Sequence, residues 1–134
     1  MKKLTYFFLI GLSFLVLTAC SDHSHDGTYV MFQHVSKKTF QLSENQTFEI
    51  EGNEIKGDNY TSTLDYSNNI QKKNGNKKNT PFEFLENGDV IVFNDPEHPN
   101  SKNDYHRNYF VKKDSKYYKY IEDNLAFQSE EEKY

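Results

Sequence analysis

From Thr28 onward the chain alternates apolar and polar residues with a period of two, the spacing of a half-buried β-strand. In Thr28 to Val35, Tyr29, Met31 and Val35 share one face while Val30, Phe32 and His34 share the other, a strand of mixed burial. Phe40 and Leu42 predict a short second strand, and Phe48 and Ile50 alternate with Thr47, Glu49 and Glu51. Gly52-Asn53 then turns the chain into Glu54-Ile55-Lys56 as a hairpin. Tyr60, Ser62, Leu64 and Tyr66 lie on one face of the next strand. Phe82 and Phe84 run into Asn87-Gly88 and out through Val90-Ile91-Val92-Phe93, the clearest hairpin of the chain.

Between these elements lie segments of different character. Ser67 to Thr80 is rich in Asn and Lys around Asn74-Gly75 and reads as a projecting hairpin or a long loop. Pro96 and Pro99 make Asn94 to Asp104 an irregular loop. Tyr105 to Lys113 and Lys116 to Ile121 flank Asp114-Ser115 as a last hairpin, followed by a short strand or turn over Asn124 to Gln128. No stretch reads as a helix by its period. About eight short strands in sequential hairpins predict an all-β fold, a single antiparallel meander closing into a small barrel or a sandwich.

The first residues carry a different pattern. Lys2 and Lys3 precede an uncharged, mostly apolar run from Leu4 to Leu17, long enough for the core of a secretory signal. A spanning helix needs about 20 apolar residues, so this run is short for a permanent span. Leu17-Thr18-Ala19-Cys20 resembles the lipobox of bacterial lipoproteins, and Cys20 is the single cysteine of the chain. The resemblance, which covers the first 20 residues, implies a diacylglyceryl group on the Cys20 sulfur and cleavage before Cys20; beyond that covalent lipid no cofactor is expected. It also implies a location in the cell envelope: on the outer membrane of a two-membrane host, because Ser21 follows the cysteine, and otherwise on the outer face of the cell membrane. The expected organisation is a signal peptide over 1–19, a lipidated cysteine and flexible tether over 20–27, a β domain over 28–128 and a charged tail over 129–134.

Charge and cysteine content narrow the classes. Loss of residues 1–19 removes two lysines and leaves 14 basic residues against 20 acidic ones, a net charge of −6. That balance argues against nucleic acid as a partner. With Cys20 lipidated no thiol remains for a disulfide, so a core rich in Phe and Tyr must hold the domain. The meander also resembles the small lipocalin-like barrels found among bacterial lipoproteins, on strand count and hairpin order.

Four groups of residues carry candidate chemistry. Asp22, His23, His25 and Asp26 have the residue types of a metal site, and in an extended chain the two imidazoles point the same way; His98 and His106 complete it if the fold brings them near. A hydrophilic spacer is the alternative. Lys72, Lys73, Lys77 and Lys78 flank Asn74-Gly75 and read either as a patch for anionic phosphates or as solvated lysines that keep an edge from aggregating. Tyr105, Tyr109, Tyr117, Tyr118 and Tyr120 crowd the last hairpin and read either as structural, with Tyr109 and Tyr117 pairing across strands, or, for those left on the surface, as a partner-binding or sugar-stacking face together with the loop from Asn94 to Asp104. Phe32, Phe48, Phe82, Phe84 and Phe110 are the expected lining if the barrel holds a small apolar ligand. No nucleophile elbow, phosphate loop or zinc-protease motif occurs. The chain therefore reads as a non-enzymatic, membrane-tethered binding module for an envelope protein or other envelope component, with a small-ligand carrier or a metal-handling lipoprotein as the alternatives.

Overall fold

The computed structural model describes residues 23–73 and 79–126. Eight strands follow one another in chain order: β1 (Gly27–His34), β2 (Phe40–Glu51), β3 (Glu54–Lys56), β4 (Thr61–Asp65), β5 (Ile70–Lys72), β6 (Thr80–Leu85), β7 (Val90–Asn94) and β8 (Arg107–Lys112). Each pairs antiparallel with the next, and β8 returns to β1 through Tyr29 opposite Lys112 and Phe32 opposite Tyr109. The sheet is therefore a closed barrel, which leaves no edge strand open to other chains.

Alternation along the strands fills the inside. Tyr29, Phe48, Ile50, Ile55, Leu64, Phe82, Ile91 and Phe93 form one buried cluster, with Tyr66, Phe84 and Phe110 packed against it. Residues of the opposite parity form a second cluster that includes Val30, Phe32, Val90, Val92, Tyr109 and Val111. These lie on the outer face of β1, β7 and β8, and they are covered by α1 (Lys116–Glu122) through Tyr118 and Ile121. Both faces of these three strands are thus apolar for a reason: one faces the barrel interior, the other a helix.

That helix replaces the last hairpin expected from the sequence. Asp114 adopts φ 65°, which ends the strand, and Ser115 caps the helix by accepting from the Tyr118 N–H at 3.2 Å. Tyr118, Ile121 and Leu125 recur at intervals of three and four, one face of a helical turn. Beyond it Leu125 bridges Phe40, with the Phe40 N–H donating to the Asn124 carbonyl at 3.0 Å and the Ala126 N–H donating back at 2.9 Å.

The two short strands expected around Phe40 and Phe48 are one strand with an irregularity. Val30 pairs with Thr47 but Met31 pairs with Ser43, so Glu44, Asn45 and Gln46 are extra. An odd number of inserted residues exchanges the two faces. Phe40 and Leu42 consequently belong to the outer cluster, whereas Phe48 and Ile50, of the same parity in sequence, point inside. Gly52-Asn53 forms the expected tight turn, with Gly52 at φ 60° and Glu51 opposite Glu54.

Candidate functional site

The two ends of the barrel differ. At one end the hairpin turns β2–β3, β4–β5 and β6–β7 gather, and residues 23–26 close over them. Asp26 Oδ1 accepts from the Gly52 N–H at 2.7 Å, and Asp26 Oδ2 pairs with His23 Nδ1 at 2.8 Å. The Gly52 N–H, and secondarily His23, hold the Asp26 carboxyl below its ordinary range. His25 stacks on Phe84 with centroids 3.8 Å apart, its carbonyl accepts from the Tyr29 hydroxyl at 2.8 Å, and the Tyr66 hydroxyl donates to the Gly52 carbonyl at 2.6 Å.

This arrangement alters the premise of the metal expectation. The segment is a turn, closed by the Asp26 N–H on the His23 carbonyl at 3.1 Å, so the two imidazoles do not share the face of an extended chain. His23 contacts Asp26, while His25 lies against Phe84 and Tyr66. Asp22 lies outside the described residues, and among the described residues no three His, Cys, Asp or Glu side chains converge on a metal position. His98 and His106 stack on each other at 3.9 Å in the β7–β8 connection, at the other end of the barrel from His23.

At that other end the described residues leave a hollow. A cavity of about 850 Å³ occupies the mouth of the barrel. One wall, from β2, β7 and β8, is aromatic: Phe48, Phe93 and Phe110, with Phe48 and Phe110 edge-to-face at 4.7 Å. The facing wall, from β4, β5 and β6, is neutral and polar: Ser62, Gln71 and Thr80, each under a tenth exposed. Gln71 Nε2 donates to Ser62 Oγ at 2.8 Å. The Thr80 hydroxyl is buried and has no hydrogen-bond partner among the described residues. A buried hydroxyl left unpaired costs about 1–3 kcal/mol.

The rim is ordered by hydrogen bonds of the β7–β8 connection. Asn94 Nδ2 donates to the carbonyls of Pro99 and Ser101, Ser101 Oγ contacts His106 Nδ1 at 3.0 Å, and the Asn103 side chain accepts from the Tyr105 N–H. The Glu97 N–H, and then His98, hold the Asp95 carboxyl below its ordinary range. Two tyrosines stand up from this rim: Tyr105, 94 % exposed, and Tyr60, 52 % exposed. The Tyr60 ring packs against Gly57, where a Cβ would overlap it. Lys73 and Asp95 also line the mouth, whose buried polar residues Ser62, Gln71 and Thr80 are uncharged.

The other expected groups are distributed as follows. Of the five tyrosines, Tyr105 and Tyr120 are exposed, Tyr109 and Tyr118 are buried, and Tyr117 is half-buried. They do not form the cross-strand arrangement expected of a last hairpin, because Tyr117, Tyr118 and Tyr120 are helical and Tyr109 pairs with Phe32 and Val92. Lys72 sits 3.6 Å from Asp65; Lys77 and Lys78 lie outside the described residues, as does Cys20. Of the expected carrier phenylalanines, Phe48 and Phe110 line the mouth, Phe82 and Phe84 are interior, and Phe32 is on the outer face beneath α1. The signal missed in sequence was the polar set Ser62, Gln71 and Thr80, which reads as ordinary surface alternation until the barrel closes around it. No protein family, curated protein or solved structure matches this chain.

Proposed function

We propose that this protein is a non-enzymatic binding module, held to the cell envelope by a lipid on Cys20, that captures its ligand in the open mouth of the barrel. The observation carrying the reading is the 850 Å³ cavity walled by Phe48, Phe93 and Phe110 on one side and by Ser62, Gln71 and Thr80 on the other. Ligand sites are concave, with apolar lining and a few fixed polar groups that set orientation. A completely filled barrel would have favoured a protein-binding outer surface instead.

The anchor and the mouth suit one another in direction. Cys20 precedes His23 by three residues, a reach of at most about 11 Å, and His23 sits at the closed end beside Gly52. A lipid on Cys20 would therefore set the closed end against the bilayer and turn the mouth toward the surrounding compartment. Two or more acyl chains give stable attachment, whereas one alone is marginal.

Native mass spectrometry of the full chain extracted from envelopes tests both parts. The expected chain begins at Cys20, carries the mass of a diacylglyceryl group and retains a small bound mass. Cys20→Ala should lose the lipid mass and the membrane association. Asn108→Trp, an exposed position lining the mouth, should lose the bound mass and keep the lipid. A bound mass that survives Asn108→Trp would place the ligand elsewhere and sink the mouth reading.

A further inference from the structure

We infer that the ligand of the barrel mouth is a neutral saccharide, seated with its C–H face on the aromatic wall and its hydroxyls on the polar wall. This deepens the reading of the mouth as a binding site and rests on it. The two walls face each other across one cavity, so a ligand filling it must be apolar on one side and a hydrogen-bonding partner on the other. A sugar ring has that two-faced chemistry: axial C–H groups on one side and hydroxyls around its edge.

Three observations favour it over other amphipathic molecules. The buried part of the polar wall, Ser62, Gln71 and Thr80, is made of amide and hydroxyl groups, which pair with uncharged donors and acceptors, while Lys73, the lysine that lines the cavity among the described residues, is exposed. The interior beneath the mouth is packed with the buried side chains of Tyr29, Ile91 and Phe82, which among the described residues occupy the space an alkyl chain would need. The exposed rings of Tyr60 and Tyr105 flank the entrance and offer stacking surfaces for further sugar units. A fatty-acid site needs a deep apolar tube, and the described interior is packed instead.

Thr80 supplies a decisive handle. Its hydroxyl is unpartnered in the free barrel among the described residues, so Thr80→Val, which keeps the shape and removes the hydroxyl, should not lower the melting temperature. In the complex, a turn of the Thr80 side chain that brings its sealed hydroxyl to the cavity pairs it with the ligand, and the same change should remove that hydrogen bond. Binding and stability are thus expected to move independently, which a merely structural residue would not show. Tyr105→Ala should weaken binding about three- to tenfold through loss of a stacking ring.

The test is saturation-transfer NMR on the full chain in a detergent without a sugar headgroup, using triacetylchitotriose, maltotriose and laurate as probes at millimolar concentrations. The expected result is saturation of ring C–H protons of at least one saccharide, abolished by Asn108→Trp and weakened about three- to tenfold by Thr80→Val at unchanged melting temperature. Binding of laurate and of neither saccharide would overturn the ligand class. So would failure of both saccharides while envelope-extracted protein carries a bound mass that Asn108→Trp removes; that outcome leaves the mouth reading standing. Saccharide binding indifferent to both substitutions would overturn the seating proposed here.

Discussion

Ending the chain after Ser115 is expected to abolish the soluble monomeric domain, although every strand of the barrel is still present. The cut removes α1 and Leu125, and with them the cover of Phe32, Phe40, Val90, Val92 and Val111. A fully buried side chain of this kind contributes about 1.5–3 kcal/mol. Re-exposing several of them matches the whole stability of a typical domain, about 5–15 kcal/mol. The exposed outer face of β1, β7 and β8 would also form a continuous apolar patch, a surface prone to association. Ile121→Ala gives the graded version: Ile121 is completely buried, and its truncation should cost about 2–5 kcal/mol in urea unfolding. A shortened chain that stays monomeric by size exclusion and melts with the full-length protein would show that α1 is an ornament on a self-sufficient barrel.

Raising the pH is expected to unfold the protein steeply from about pH 10, the ordinary tyrosine value, with Tyr29 as the dominant group. Tyr29 is fully buried, stacked on Phe48 at 5.5 Å and donating its hydroxyl proton to the His25 carbonyl. Burial, and secondarily the nearby Tyr66, pushes its phenol far above the usual range. Burial raises Tyr60, Tyr109, Tyr117 and Tyr118 in the same direction. Above about pH 10 the unfolded chain loses these protons and the folded chain keeps them, so the folded state binds more protons and stability falls with pH. For Tyr29 the loss is about 1.4 kcal/mol for every tenfold drop in proton concentration, and it continues until the folded chain also gives up the proton. Tyr29→Phe should cost about 0.5–1.5 kcal/mol near neutral pH, through the lost hydrogen bond, yet move the alkaline midpoint upward. The two stability curves must cross. Parallel pH profiles for the two proteins would mean that Tyr29 is not what limits the alkaline limb.

Much of the fold is legible in the residues alone. The Gly52-Asn53 turn, the shared face of Ser62, Leu64 and Tyr66, and the hairpin from Phe82 to Phe93 all follow from alternation and turn chemistry, which act over a few residues. Where the structure departs from that reading, two tendencies compete and local pattern does not decide between them. Lys116 to Glu122 is rich in Tyr with an Ile, favoured strand residues, but the Ser115 cap and the burial of Tyr118 and Ile121 on one side made it a helix. The spacing Tyr118, Ile121, Leu125 was the available signal. Phe40 and Phe48 have the same parity, and three extra residues between them sent one outward and the other inward.

The binding site was less legible than the fold. His23, His25 and Asp26 attract attention by composition, yet in the structure they seal the closed end of the barrel. Ser62, Gln71 and Thr80 attract none, and they form a wall of the mouth. Their side chains come from three strands, and their common direction exists once the barrel closes.

By itself, then, the sequence determined the β-strand alternation, the turns and the class of the fold, because strand period and turn residues are properties of neighbouring positions. Tertiary structure decided which apolar face is inside, where the helix covers the outer one, and that an aromatic and a polar wall face each other across an open mouth. Those depend on ring closure, which joins residues as distant as Tyr29 and Lys112, and on the odd insertion that exchanges faces along β2.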